Sequence, residues 1–186
     1  PIDGFRKLWG TPIFACPYCH GWEVQDRRFA YLAANVEALA FAIFLRGWTS
    51  DVVALTNAAF TVPDDLRSRL RTANVGLDER RITRLQPHAG ELQAVVFDTG
   101  DPLPRDVLFA HPEQQQAPIV RALGLSLDDK GFIQADAMTR ETSLRGIYAA
   151  GDITNPAQGA SIAAGDGTFA AARLNHALTL ELASAP

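Results

Sequence analysis

Between residues 29 and 55 the chain reads strand, helix, strand, and nothing else in it limits the fold as tightly. Phe29-Ala30-Tyr31-Leu32 is a short apolar run, and Val52-Val53-Ala54-Leu55 is another. The stretch 36–48 between them is apolar on nearly every side, as a buried helix is, and Gly47, Thr49 and Ser50 close it. Strands joined through a helix of that length lie parallel, with a right-handed crossover. The expected fold class is therefore α/β.

The flanking patterns extend this reading. Residues 1–11 read as a linker, because Pro1, Gly4 and Gly10 disfavour regular structure, with Phe5 and Trp9 anchoring it. Pro63 and Asp64 open a second helix at 66–73, with Leu66 and Leu70 four apart. The period then changes to two. Segments 81–85 and 92–97 read as strands joined by a turn at 87–90, and 106–109 as a further strand. The polar, proline-bounded 111–118 is a loop or boundary. Beyond it, 131–134 and 147–150 read as strands, and a helix rich in Ala and Gly is expected over 159–182. A helix so thin lets another backbone come close.

Bulk properties exclude several function classes. The 186 residues carry a net charge of −4, which gives no electrostatic case for nucleic acid or an anionic membrane. No apolar run approaches the ~20 residues of a membrane span. Two cysteines in all, both in one motif, suit a reducing cytoplasm. The chain begins at Pro1 and its one methionine is Met138, so a preceding segment is expected.

Those two cysteines stand in Cys16-Pro17-Tyr18-Cys19-His20-Gly21. Two thiols at this spacing can close a small disulfide ring and reopen it. The same motif could be half of a zinc site, but no second pair exists and His88, His111 and His176 are scattered, so no metal is expected. C-x-x-C-H also matches a haem attachment pattern, and purely structural cysteines remain a further alternative. Pro17 suits the first turn of a helix, which would put Cys16 at a helix start, where a thiolate is favoured.

Taken together, the cysteine motif, the 29–55 unit, the segment 142–152 (T-S-L-R-G-I-Y-A-A-G-D) and the A-A-G-D-G at 163–167 resemble the low-molecular-weight thioredoxin reductase family of flavoproteins. The resemblance implies a three-layer, Rossmann-like nucleotide domain over 12–107, carrying the C-x-x-C. It implies that 108–186 are the C-terminal part of a discontinuous FAD-binding domain, as an incomplete second sheet plus a long helix. The N-terminal FAD segment of that family would lie outside this chain. The resemblance also implies FAD as cofactor, with Gly151, Asp152, Gly159, Ala160, Ser161 and Ile162 beside it, and a homodimer.

This sequence departs from the family at three places. The family's G-x-G-x-x-A is here Ala33, Asn35 and Ala38, so both turn glycines are replaced. The cationic cluster that receives the NADPH 2′-phosphate is here residues 56–60, without a cation. NADPH is therefore expected to bind poorly. After the second cysteine the family has an acid; here stands His20. C-P-Y-C-H-G is similar to the gliotoxin- and holomycin-type dithiol oxidases. The expected function is a flavin-dependent dithiol oxidase with Cys16, Cys19 and His20 catalytic, passing electrons to FAD and then to O₂ or another non-nicotinamide acceptor. Its substrate would be a small dithiol or a thioredoxin-like protein. Tyr18 and Trp22 could line the substrate surface, with burial the expectation for Trp22. An NADPH-dependent thioredoxin reductase with a degenerate nucleotide site, and a non-catalytic remnant, are the alternatives.

Overall fold

The computed structural model describes residues 2–184. Pro1, within the expected linker, and residues 185–186, at the end of the expected second region, lie outside the described residues. The chain divides into two compact units, one up to Pro112 and one from Glu113. The boundary expected at 107/108 would have cut through a strand of the first unit.

In the first unit a short helix α1 (Phe5–Leu8) precedes strand β1 (Ile13–Phe14) and helix α2 (Pro17–His20). Strand β2 (Phe29–Leu32) leads into helical turns α3 (Val36–Leu39) and α4 (Phe41–Phe44), a 3₁₀ turn at Leu45–Gly47 and strand β3 (Val52–Leu55). Helix α5 (Asp64–Thr72), strand β4 (Gly76–Asp78), strands β5 (Ile82–His88), β6 (Glu91–Phe97) and β7 (Leu103–Pro104), and strand β8 (Val107–Ala110) follow. The parallel sheet runs β1-β8-β2-β3-β4, and β5-β6-β7 form a separate antiparallel meander.

The sheet is buried on both faces, which makes three layers. Phe29 and Tyr31 of β2 and Phe109 of β8 pack on one side with Leu39, Leu45, Leu66 and Leu70 of the helical layer. Their alternates Ala30 and Leu108 face Leu85, Leu92, Val95 and Phe97 of the meander. Strict alternation along β2 and β8 follows from the two-residue period of a strand.

Two expectations are corrected here. Residues 2–11 are not a free linker. Phe5–Leu8 is helical, Leu8 is buried, and the Leu85 N–H donates to the Asp3 carbonyl at 2.9 Å. The helix expected over 36–48 is broken into short turns. Ala40 and Leu45 have ψ of −18° and −15°, and the Ile43 N–H reaches back three residues to Ala40. Phe41 and Phe44, three apart on α4, pack tilted against each other with ring centroids 5.3 Å apart.

The second unit contains helix α6 (Pro118–Ala122), a 3₁₀ turn at Gly151–Ile153 and helix α7 (Ala160–Ser184). The strands expected at 131–134 and 147–150 are not formed. Isolated bridges Leu127–Ile133, Ala135–Thr142 and Glu141–Tyr148 take their place. Left-handed residues Gly131, Arg140 and Gly146 bend the chain every few positions. Aspartate side chains capture amides that a ladder would use: Asp136 accepts from Met138 and Thr139, and Asp128 from Lys130 and Phe132. Among the described residues no helix is long and apolar enough to cross a membrane.

Candidate functional site

In the first unit, Cys16 stands immediately before Pro17, the first residue of α2. Its carbonyl accepts from the N–H groups of Cys19, at 3.2 Å, and His20, at 3.3 Å. This single turn folds the C-x-x-C back on itself. Both cysteines are free thiols; Cys19 is exposed and Cys16 half-buried. The Cys19 thiol is pushed up to about 11, first by its hydrogen bond to Cys16, then by partial desolvation and the charge on Cys16. At neutral pH Cys19 therefore holds its proton against the Cys16 sulfur. Cys16 is the acceptor sulfur of that bond.

The exposed His20 ring stacks on Phe14 at 4.6 Å, which keeps it beside the end of β1. Tyr18, 80% exposed, stands edge-on to Trp48 and Phe44 at 5.4 and 5.5 Å. Trp22 is 76% exposed, not buried as expected. The motif is thus flanked by open aromatic surface. Gly21 makes this possible. A Cβ there would collide with the Pro17 carbonyl and lie 2.5 Å from the Trp48 indole.

His111, passed over in the sequence because it is far from the motif, directly follows β8, the strand between β1 and β2. Its Nδ1 lies 3.3 Å from the Tyr31 hydroxyl, its ring meets Phe41 edge-on, and it hydrogen-bonds the carbonyl of Ala15, the residue before Cys16. Burial of the ring lowers its pKa, and the Ala15 carbonyl opposes this in part. Burial pushes the Tyr31 phenol up to about 12, so Tyr31 is the donor. A neutral ring accepting at Nδ1 and protonated at Nε2 satisfies both partners.

At two of the positions where the sequence departs from the family's nucleotide site, the side chains are engaged within the chain. The Asn35 side chain accepts from the Ala38 N–H at 2.9 Å, capping α3. Asn57, left-handed at φ 55°, accepts from the Ile82 N–H at 2.7 Å.

In the second unit the remaining expected residues come together at the start of α7. Gly151 is buried, and Asp152, Ala160, Ser161 and Ile162 are exposed. Asp152 Oδ1 lies 3.4 Å from the Gly159 N–H. The helix ladder opens with the Ala163 N–H on the Gly159 carbonyl at 2.8 Å. The amides of Ala160, Ser161 and Ile162 precede it and have no partner within the helix. Small side chains, unspent amides and an exposed carboxylate fit the polar edge and polyol chain of a flavin. Asp166, part of the A-A-G-D-G motif but given no role from the sequence, and Arg140, which the sequence did not point to, lie behind this turn. An aspartate set among alanines and glycines was the available signal.

No family model matches the chain. The thioredoxin reductase tcpT of Claviceps purpurea (strain 20.1) is 29% identical over 160 residues, covering 81% of this chain and 50% of that protein. The crystal structure of HlmI superposes with a TM-score of 0.84 at 32% identity, covering 98% of this chain and 57% of that one. A putative thioredoxin reductase, TrxB from Bacillus anthracis, gives 0.84 at 29%, covering 97% and 60%. The chain spans about half the length of the curated relatives it matches. In sequence and in fold it is thioredoxin reductase-like, with a Rossmann-type α/β architecture.

Proposed function

We propose that this thioredoxin reductase-like chain is the disulfide-bearing and C-terminal part of a flavin-dependent thiol–disulfide oxidoreductase that acts as a dithiol oxidase. The observation that carries this is the Cys16–Cys19 thiol pair folded into the single turn of α2 with Cys19 exposed. A substrate thiolate attacks Cys16 of the closed disulfide, and Cys19 leaves and takes up a proton. The second substrate thiolate then attacks the mixed disulfide, releasing the substrate as a disulfide and Cys16 as thiolate. Two electrons thus pass from substrate to the cysteine pair, which ends with one proton on Cys19 and a thiolate on Cys16; the other proton of the substrate dithiol goes to solvent by way of His20. FAD, held by Gly151, Asp152 and the first turn of α7, would supply the two-electron acceptor, with O₂ beyond it. His20, exposed at the end of the turn beside the cysteines, is the proton carrier in this reading.

The self-capped Asn35 and the cation-free 56–60 segment favour a non-nicotinamide acceptor. The exposed Tyr18 and Trp22 favour a small apolar dithiol over a thioredoxin-like protein. A reducing cytoplasm and a homodimer complete the reading. The test is anaerobic reduction of bound flavin by a dithiol in the full-length protein. Cys16→Ser and Cys19→Ser should each abolish it. Flavin reduction at the wild-type rate by Cys19→Ser would show the cysteines to be structural.

A further inference from the structure

One buried carboxylate grips the Gly151–Asp152 turn. Asp166 Oδ2 accepts from the Gly151 N–H at 2.7 Å. Its other oxygen lies 2.5 Å from Arg140 Nη2, and the side chain is 6% exposed. Gly151 is left-handed at φ 77°, and a Cβ there would lie 3.3 Å from Ala163 Cβ. Ala163 and Asp166 are three apart on α7 and so share a face. The same strip of helix supplies the close contact and the hydrogen bond to one glycine.

A carboxylate this buried is costly unless both oxygens are engaged. Here one accepts from a backbone amide, and the other makes no hydrogen bond but is paired in charge with a guanidinium that also lies over Phe169, 5.6 Å from the ring centroid. Asp166 is covered and Asp152 is open to solvent. The two acids therefore differ in kind: one can meet a ligand, the other can only shape the turn that presents it.

We propose that Asp166 is a positioning residue for flavin binding, holding the Gly151–Asp152 turn in its ligand-competent form before the ligand arrives. The proposal rests on the flavin reading above. Its consequence is preorganisation: a turn already fixed loses less entropy when a ligand docks on it. Asp166→Asn keeps the acceptor for Gly151 and drops the charge; Asp166→Ala removes the acceptor.

Amide exchange on flavin-free full-length protein gives a readout apart from activity. The Gly151 N–H of the wild type should be protected as strongly as the amides of α7. In Asp166→Ala it should exchange at least ~10-fold faster while α7 stays protected, and FAD should bind at least ~10-fold more weakly. Asp166→Asn should keep the protection and bind FAD within about threefold of the wild type. A freely exchanging Gly151 in the flavin-free wild type overturns the proposal, whether or not Asp166→Ala folds. So does wild-type FAD affinity in a folded Asp166→Ala, or equal loss in both variants, the mark of a general packing role. Absence of FAD binding by the wild type would instead remove the flavin reading and leave the exchange result to decide whether the clamp exists.

Discussion

The Tyr31 hydroxyl lies 3.3 Å from His111 Nδ1, joining the ends of two neighbouring parallel strands one residue away from the redox motif. His111 also reaches the Ala15 carbonyl, so the imidazole ties β8 and β2 to the segment that carries Cys16. Burial lowers the pKa of His111, so the unfolded chain binds its proton more readily than the folded one. Its contribution to stability is therefore complete above an unfolded value of about 6.5 and declines as the pH falls through it. NMR titration should place the His111 midpoint below 6.5. The loss of urea resistance between pH 7 and pH 5.5 should be smaller in His111→Gln.

The two thiols should react in a fixed order. With Cys19 pushed up to about 11, chiefly by its bond to Cys16, iodoacetamide at pH 8 should label Cys16 first. In Cys16→Ala that bond is gone. Cys19 labelling at pH 9 should then speed up ~10-fold or more, because reactivity follows the thiolate fraction. Mass spectrometry of the peptide containing residues 16–19 reads both outcomes. Equal rates for the two cysteines would contradict a Cys19 thiol held by its bond to Cys16.

What could be read from the sequence was what local periodicity encodes. Strands β2 and β3, helix α5, the β5–β6 hairpin and helix α7 each carry their own pattern over several residues. Strands β1 and β4 do not. Ile13 and Phe14 make a strand only because Leu108 and Phe109 lie beside them, and Gly76–Asp78 only because of β3. The apolar runs near Ile133 and Tyr148 misled because glycine bends and aspartate-to-amide bonds outcompete a ladder there. The cysteine pair was legible from spacing alone. His111 was not, since its place depends on β8 threading between β1 and β2. Asp166 was hidden for the same reason: Gly151 meets it only through the fold.

The Ala89–Gly90 turn between β5 and β6 has φ of 51° and 86°, the left-handed pair that a two-residue hairpin of this type requires. Glycine meets that demand freely; Ala89 carries a Cβ that opposes it. Ala89→Asn should raise stability by about 0.5 kcal/mol, measured as a shift in the urea midpoint at constant slope, because asparagine tolerates this conformation better.

Gly21 closes α2 with its N–H on the Pro17 carbonyl at 2.6 Å. Its backbone is ordinary right-handed helix, at φ −63°, so space rather than conformation requires glycine there. Gly21→Ala should drive the Trp48 indole off the turn. The cost should be about 1–3 kcal/mol, with a shift in tryptophan emission as the indole moves. Tyr18 rests on that same indole, so the aromatic surface beside Cys19 should loosen with it.

The nucleotide site yields the last prediction. A dinucleotide pyrophosphate needs a glycine turn for close approach and free amides at the following helix start. In this chain Ala33 and Asn35 replace the glycines, and the Asn35 side chain already occupies the Ala38 amide. The helix behind it is a single turn, Val36–Leu39, so little dipole remains to attract phosphate. Asn57, within the segment that answers to the 2′-phosphate cluster, accepts from the Ile82 N–H instead. Calorimetric titration of the full-length protein should therefore detect no NADPH binding at micromolar ligand. Asn35→Gly alone should not restore it, because the cations would still be missing. A dissociation constant in the micromolar range, about −8 kcal/mol, would contradict this account of the site and return NADPH as the electron source.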